Sequence, residues 1–276
     1  FPDAEIWLVG GSKNWELFAA DPRVRHLLMP YRRGSLLDRL GLWPALREAL
    51  SQPDSVVLDP DSRLTQLGLL PVCPEESYYF FESRGYGGVG DDALPDLARR
   101  WAEATLGIAG ARPYVAPARH EGTPVQVTVS LGVGENPAKR IGDPFEEELL
   151  RALAGKNLSI CIDRGAGGEE AERVDRAIAR SGATVETWEG SFAGFAGRIM
   201  RSSLYVGYDS AGQHVAAACG VPLISIFAGF PCPRMFSRWR PTGAGPMEVV
   251  RVEDAEPHAV AAQAREALER IVTQMS

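Results

Sequence analysis

The sequence predicts an α/β protein in two parts, the second built on a doubly wound parallel sheet. Beyond residue 125, apolar runs of strand length alternate regularly with helical patterns. A stretch rich in proline and glycine, residues 109–124, separates this region from a looser alternation before it. The 276 residues, 45% of them hydrophobic, suffice for two cores of ordinary domain size.

The first part contains strand and helix candidates in alternation. The strand candidates are residues 5–10, 24–30, 55–59 and 78–82, and the helical segments are 35–50 and 96–108. Leucines recur at helical spacing in the first helical segment, although Gly41 and Pro44 interrupt it. We therefore predict an α/β half-domain over residues 1–115.

The second part is more regular. Its strand candidates are residues 125–132, 158–163, 183–188, 204–209 and 222–227, and its helices are 145–155, 169–182, 192–202, 213–220 and 259–272. Five strands joined by four helices predict a doubly wound parallel sheet, followed by a terminal helix. We assign residues 116–276 to this second domain.

Composition excludes several classes of protein. A net charge of −7 argues against a protein that mainly binds nucleic acid, because phosphate contacts need a basic surface. The four cysteines show no CxxC pair and no metal-type spacing, which favours reduced thiols in the cytoplasm and predicts no metal site. The longest apolar runs fall short of the roughly 20 residues of a spanning helix, while contact with a membrane surface stays compatible with the sequence.

Ligands of open parallel sheets bind beyond the carboxyl ends of the strands, so the loops there are informative. The first such loop, GVGENPAKRIG, carries Lys139 and Arg140 among glycines, and it fits either a diphosphate cradle or a solvated basic loop. It matches neither a Walker loop nor the G-x-G-x-x-G motif of a dinucleotide-binding dehydrogenase. After it, Asp143, Pro144 and Glu146 predict a capped helix start.

Two further loops carry candidate contacts to a nucleoside. Glu169 opens a helix after a glycine-rich turn, where it either accepts hydrogen bonds from ribose hydroxyls or only complements the helix dipole. Trp188 and Gly190 fit the flanks of a flat base, but the tryptophan equally fits the core. Ser191 is also a candidate helix cap.

The fourth loop leads from the strand LYVGY into a short helix. Asp209 and Ser210 lie at the carboxyl end of that strand, and His214 lies in the first helical turn. These residues serve either as helix caps or as contacts to an anion and to sugar hydroxyls at the helix N-terminus.

Together these segments resemble a known family. The series SLGVGENPAKRIG, the W-E-G-S segment and DSAGQHVAAACGVPLISIFAG are similar to the nucleotide-sugar-binding half of the heptosyltransferase-like glycosyltransferases, family 9. The similarity covers residues 125–242 well and residues 1–110 loosely, through FPDAEIWLV and DSRLTQLGLLP. It implies the GT-B fold, with two Rossmann-like domains facing a cleft and an N-terminal domain that here begins at what looks like its second strand.

The resemblance implies a hexosyl or heptosyl transfer. Family members move a sugar, ADP-heptose being the best-known donor, to a lipid-linked or oligosaccharide acceptor with inversion, and they require no metal or other cofactor. An ADP-sugar is thus the expected donor. We expect a cytoplasmic protein of lipopolysaccharide biosynthesis, working at the cytoplasmic face of the inner membrane.

The resemblance also implies roles for particular residues. Lys139, helped by Arg140, would neutralise the diphosphate, and Glu169 would hold the ribose. The segment from Trp188 to Ser191 would line the base. The remaining donor contacts would be Ser130, Asp209, Ser210, Ala211, Gly212 and His214.

Two departures from the family pattern leave alternatives open. The strand and glycine-rich loop that supply an acidic general base in the family are not seen, so the base is unidentified, and Asp59 and Asp61 are the substitutes considered. AGQH also replaces the usual GPxH. A degenerate noncatalytic nucleotide-sugar-binding protein and a sugar-nucleotide epimerase of GT-B fold therefore remain the alternatives.

Overall fold

The computed structural model describes residues 3–11, 13–32, 34–60, 64–134, 136–165 and 167–275. The chain divides into two compact units, Phe1–Ala111 and Arg112–Ser276. Residues 1–111 are called unit 1 and residues 112–276 are called unit 2. Asp61, one of the two substitute bases, lies outside the described residues.

In the part of unit 1 that the structure describes there are two short parallel strand pairs and three α-helices. Its elements are β1 (Ile6–Gly10), β2 (Val24–Leu28), α1 (Leu36–Gly41), α2 (Trp43–Leu50), β3 (Val57–Asp59), β4 (Tyr78–Phe80) and α3 (Leu94–Leu106). Strand β1 pairs with β2 and β3 pairs with β4. The single helix predicted over 35–50 is two helices, because the chain breaks after Gly41 and Pro44 occupies the first turn of α2.

Unit 2 is a doubly wound α/β domain. Its elements are β5 (Val127–Ser130), α4 (Phe145–Ala154), β6 (Ile160–Asp163), α5 (Gly168–Ser181), β7 (Glu186–Trp188), α6 (Phe192–Ile199), β8 (Leu204–Tyr208), α7 (Ala211–Cys219), β9 (Leu223–Phe227), α8 (Pro233–Trp239), β10 (Met247–Arg251) and α9 (Pro257–Met275). The six strands are all parallel, in the order β7-β6-β5-β8-β9-β10. The predicted doubly wound parallel sheet is confirmed.

The prediction of five strands was incomplete. Strand β10 pairs in parallel with β9 and extends the sheet to six strands. Helix α8 precedes it, in a stretch where prolines and glycines masked both elements in the sequence. The short run MEVVR is only partly buried, so it lacks the apolar run that identified the central strands.

The central strands of unit 2 are buried on both faces, and this burial stabilises the sheet. Every residue of β5, β8 and β9 is buried, as expected for strands covered by helices on each side. Helices α4 and α9 contribute Leu150, Leu153 and Leu268 to the same core. Complete burial of one such side chain stabilises the fold by about 1.5–3 kcal/mol.

The predicted cap of α4 was wrong. Pro144, rather than Asp143, is the N-cap residue, and the Asp143 carboxylate pairs with Arg140 at 2.5 Å. Glu146 does not reach back to the helix start but turns into the core, where it is 3% exposed. Tertiary partners, described below, draw this side chain inward.

Across the described residues, no helix is long and apolar enough to cross a membrane.

Candidate functional site

The strand order of unit 2 reverses between β5 and β8. The chain runs from β5 outward to β7, returns to β8 and then runs outward the other way to β10. In doubly wound sheets, ligands bind in the crevice beyond the carboxyl ends of the two strands at this switch point. Ser130 and Gly207 are paired there, and the loop bearing Lys139 follows β5 while Asp209 follows β8.

Lys139 and Asp209 form an ion pair at the switch point. The Lys139 Nζ lies 2.7 Å from Asp209 Oδ2 and donates to the Asp209 carbonyl oxygen at 3.0 Å. Lys139 ends a short 3-10 turn whose N-cap Asn136 accepts a hydrogen bond from the Ala138 N–H at 3.1 Å. The lysine side chain keeps 24% of its surface exposed, so the ammonium remains within reach of a ligand.

Gly229, two residues past β9, supports the lysine turn from the other side. A Cβ at this position would overlap the Ala138 carbonyl and come within 2.7 Å of the Lys139 nitrogen. Its φ of +66° also favours glycine. Loops from β5 and β9 thus pack directly together beside Asp209.

A buried glutamine, Gln213, donates a hydrogen bond to the Asp209 carboxylate. Gln213 is fully buried in the first turn of α7 and donates through Nε2 to Asp209 Oδ1 at 2.5 Å. Its Oε1 accepts a hydrogen bond from the equally buried Ser225 hydroxyl of β9, also at 2.5 Å. Sequence reasoning missed Gln213, because its partner Ser225 lies on a later strand.

The start of α7 follows the carboxyl end of β8 and lacks a side-chain cap. Ser210 is the N-cap residue in extended conformation, and within the described chain its side chain makes no capping hydrogen bond. The first amides of α7, from Ala211 onward, are therefore not satisfied by a cap and are suited to an anion.

Gly212 has a packing role that the sequence did not reveal. A Cβ at position 212 would overlap the fully buried Tyr205 hydroxyl and come within 2.6 Å of its Cζ. A Cβ on Gly207 would meet the same hydroxyl at 2.6 Å. Burial raises the pKa of Tyr205 to about 12, so its hydroxyl stays neutral beneath the crevice.

His214 is a half-buried neighbour of this network. Its Nε2 lies 3.4 Å from the Gln213 Nε2. Burial lowers the pKa of His214, an effect that the Asp209 carboxylate opposes and the Lys139 ammonium reinforces. The imidazole is therefore neutral near pH 7 and offers a hydrogen bond rather than a charge to a ligand.

Arg140 is turned away from the Lys139 pair. Its guanidinium pairs with Asp143, and its Nε lies 3.5 Å from Glu146. Glu146 also contacts the Arg173 guanidinium and accepts the Tyr208 hydroxyl at 3.0 Å. Burial raises the pKa of Glu146, against the two arginines and the tyrosine, which lower it. This buried cluster links α4, α5 and β8.

Of the two glutamates that open α5, the second lies nearer the switch point. Glu169 is exposed, whereas the Glu170 carboxylate lies against Gly132 and Gly165, where a Cβ at either site would collide with it. It thus spans the carboxyl ends of β5 and β6. Asp163 lies beside it, and its pKa is raised by burial and by Glu170, although a hydrogen bond from the Gly165 N–H opposes the rise. The sequence analysis selected Glu169, whose role stays a prediction, and did not single out Glu170.

Trp188 and Ser191 meet at the end of β7. Ser191 is the N-cap of α6, and its hydroxyl accepts from the Gly194 N–H at 3.1 Å. The indole Nε1 of Trp188 donates to the Ser191 carbonyl at 3.3 Å, and the ring packs over Gly194. His120 lies edge-on to the indole, with ring centroids 5.5 Å apart. The half-buried indole is thus a fixed wall at this end of the sheet.

In unit 1, Asp59 is committed to a structural role. It is 3% exposed and accepts hydrogen bonds from the Thr65 hydroxyl and, at 2.7 Å, from the Tyr78 hydroxyl. These bonds fasten residues 64–70 to the ends of β3 and β4. Such a carboxylate is poorly placed to accept a proton from a substrate.

Among the described residues, no cluster of His, Cys, Asp and Glu is arranged to hold a metal ion.

Comparisons with known proteins agree with this architecture. The sequence model of glycosyltransferase family 9 (heptosyltransferase) matches residues 138–261, which include Lys139 and Asp209. No curated protein matches the chain.

Solved structures match over nearly the whole chain. The heptosyltransferase WaaC from E. coli with ADP is 17% identical at a TM-score of 0.70, covering 100% of this chain and 92% of its own. A family 9 glycosyl transferase from Veillonella parvula is 14% identical at 0.69, covering 99% and 88%. E. coli ADP-heptose lps heptosyltransferase II is 17% identical at 0.65, covering 99% and 91%. At such identities the likeness establishes the fold.

A doubly wound sheet with its polar groups gathered at the switch point, in a chain that matches these structures over nearly all of its length, is consistent with the Rossmann-like GT-B fold. Residues 138–261, somewhat less than half of the chain, are similar to glycosyltransferase family 9 (heptosyltransferase), and the structural matches extend the likeness in fold to the rest of the chain.

Proposed function

We propose that the chain transfers a hexosyl or heptosyl group from a nucleoside diphosphate sugar, with an ADP-sugar the first choice, to a saccharide or lipid-linked acceptor. The observation that carries the proposal is the Lys139–Asp209 pair beside the open N-terminus of α7 at the switch point. An ammonium and free helix amides are the groups that bind a diphosphate in proteins. The relatives WaaC with ADP and WaaC with ADP-2-deoxy-2-fluoro heptose support this choice of donor.

The donor would lie along the carboxyl ends of the strands of residues 116–276, the donor-binding domain. Lys139 and the amides of Ser210, Ala211 and Gly212 would hold the diphosphate, with the Ser130 backbone below. A glutamate of α5, where Glu170 is better placed than Glu169, would accept the ribose hydroxyls. The wall of Trp188 and Ser191 would border the base, with Asp209 and His214 nearest the sugar.

In the proposed reaction an acceptor hydroxyl attacks the anomeric carbon while the bond from that carbon to the diphosphate oxygen breaks. The attack comes from the opposite face, so the configuration inverts. Lys139 and the α7 dipole would stabilise the negative charge that develops on the departing diphosphate, which removes the need for a metal. The acceptor proton would pass to a base of residues 1–115, the acceptor-side domain, which is unassigned. A place in lipopolysaccharide biosynthesis at the inner membrane belongs to the same proposal.

Calorimetric titration with ADP, UDP and GDP tests the donor site. We expect one diphosphate to bind in the micromolar range, and Lys139→Ala to weaken it by about 1–3 kcal/mol through loss of a charge-assisted contact. Asp209→Ala should weaken the corresponding nucleotide sugar by a similar amount. Lys156→Ala, at an exposed lysine paired with Glu269, is the matched control and should bind normally. Absence of binding by the unsubstituted protein would overturn the donor-site proposal.

A further inference from the structure

Gln213 is an unusual residue for its position. It is fully buried on a helix whose neighbouring buried side chains are Val215, Ala216 and Ala217. A buried primary amide is costly unless its groups are paired, and an apolar side chain would fill the space without that requirement. The amide here is paired at both ends, by Asp209 and by Ser225. The two hydrogen bonds therefore fix the orientation of the amide, which packing alone would not do.

The order of donors and acceptors fixes the Asp209 carboxylate. The Ser225 hydroxyl donates to Gln213 Oε1, which leaves Nε2 to donate to Asp209 Oδ1. Because Oδ1 is occupied from below, Oδ2 is the oxygen that faces Lys139 at 2.7 Å. A rotation of the carboxylate would break the bond to Gln213 and displace the lysine contact together.

We propose that Gln213 is a positioning residue of the donor site, which holds Asp209 in one orientation and thereby sets the place of the Lys139 ammonium. This inference rests on the proposed function. Lys139 contacts both Oδ2 and the backbone oxygen of Asp209, so its position follows that of one residue. Both amide ends of Gln213 are bonded to the protein, and it acts on a diphosphate through the ion pair above it.

Two substitutions at Gln213 separate positioning from packing. Gln213→Leu removes both hydrogen bonds at similar volume, and we expect diphosphate binding to weaken about tenfold at every pH. Gln213→Glu keeps the acceptor for Ser225 but sets a carboxylate against Asp209, near Lys139 and His214. A buried carboxyl beside another has a raised pKa, so at low pH it is protonated and donates to Asp209 again.

The experiment is calorimetric titration from pH 5.5 to 8.5 with whichever of ADP, UDP and GDP the unsubstituted protein binds most tightly. Relative to that protein at each pH, Gln213→Glu should lose more than about tenfold at pH 8.5 and recover to within about twofold at pH 5.5. Gln126→Glu is the matched control. This exposed glutamine pairs with Ser159 at the amino end of β5, and its variant should bind normally throughout.

The outcomes distinguish the inference from the function beneath it. If Lys139→Ala weakens binding but both Gln213 variants bind within twofold of the unsubstituted protein at every pH, the positioning role is wrong and the donor site stands. If the unsubstituted protein binds none of the three diphosphates, both fail. Should a Gln213 variant not fold, Ser225→Ala replaces it: a loss of about threefold supports the role, and unchanged binding overturns it.

Discussion

Gly212, a residue of the family-like motif, is constrained by packing within its own chain. The family resemblance implied only that Gly212 is one of the donor contacts. In the structure the space a side chain would need is filled by the Tyr205 ring, which enters from β8. The glycine is therefore required by packing, whether or not a ligand is present.

We expect Gly212→Ala to lower the free energy of unfolding by about 1–2 kcal/mol. Alanine normally gains up to about 1 kcal/mol over glycine within a helix, but overlap with a fixed ring costs about 1–3 kcal/mol. Urea denaturation measures the difference. Gly142→Ala, where the nearest atom is Pro257 Cγ at 3.8 Å, is the control and should change stability little. Equal stability of Gly212→Ala and the unsubstituted protein would mean that Tyr205 yields easily.

Some candidate site residues could be identified from the local sequence, and others could not. That Lys139 and Asp209 lie at the same edge of the sheet was predictable, because loops after parallel strands converge there, and their donor role stays a prediction. Gln213 and Glu170 were not, since what identifies them, Ser225 for one and Gly132 for the other, is distant in sequence. The helper role expected of Arg140 stays a prediction, although its bonds direct it to Asp143.

Among elements, α4 and α5 are joined by one buried charge cluster. Arg173 on α5 contacts the Glu146 carboxylate of α4 and donates to the Leu131 carbonyl at 2.8 Å. Tyr208 on β8 accepts from the Ile141 N–H at 3.2 Å and donates to the same carboxylate. The cluster thereby ties the second half of the long β5–α4 loop to the sheet.

Removing one partner from this cluster should be costly. Arg173→Met leaves the Glu146 carboxylate buried with less compensation, and we expect a loss of about 3–5 kcal/mol in unfolding free energy at pH 7.5. Adding Glu146→Gln should recover much of it. Because loss of Arg173 raises the folded pKa of Glu146 further above its usual 4.5, stability is lost as pH rises, so the deficit should shrink toward pH 5. A deficit independent of pH would contradict this account.

Element prediction succeeded where burial was regular. The fully buried strands of unit 2 read as apolar runs, and their alternation with helices fixed the topology class. The capping pattern at Asp143 failed because Arg140 binds that carboxylate and Arg173 draws Glu146 inward. The local pair of Arg140 with Asp143 and the long-range pair of Arg173 with Glu146 together outweigh a cap of about 1 kcal/mol.

At the scale of the whole molecule, the candidate donor residues all lie in one unit. Each belongs to Arg112–Ser276, whose core is larger than that of the first unit. The weaker sequence pattern of unit 1 corresponds to short paired strands and to exposed apolar side chains such as Leu37 and Leu69. Because the sequence pattern of unit 1 is less regular, the helices and strands of that unit were predicted less clearly.

We expect the fragment of residues 112–276 to bind the same nucleoside diphosphate as the full chain, within about threefold in Kd, because the proposed diphosphate contacts lie within it. Calorimetry on the fragment measures this, with circular dichroism and thermal melting to verify folding. A folded fragment that does not bind would place essential donor contacts in the first unit. The fragment should show no sugar transfer, since the acceptor-side domain is missing.

The ion pair of Lys139 with Asp209 has a further consequence for how fast a donor arrives. The lysine charge is already balanced by Asp209, and the chain as a whole carries −7. An anionic donor therefore meets little attractive field before contact, so diffusion and orientation govern its encounter rate. Association should consequently not slow as salt is added, and the lysine exerts its attraction at short range after docking, while the Asp209 carboxylate keeps it in place.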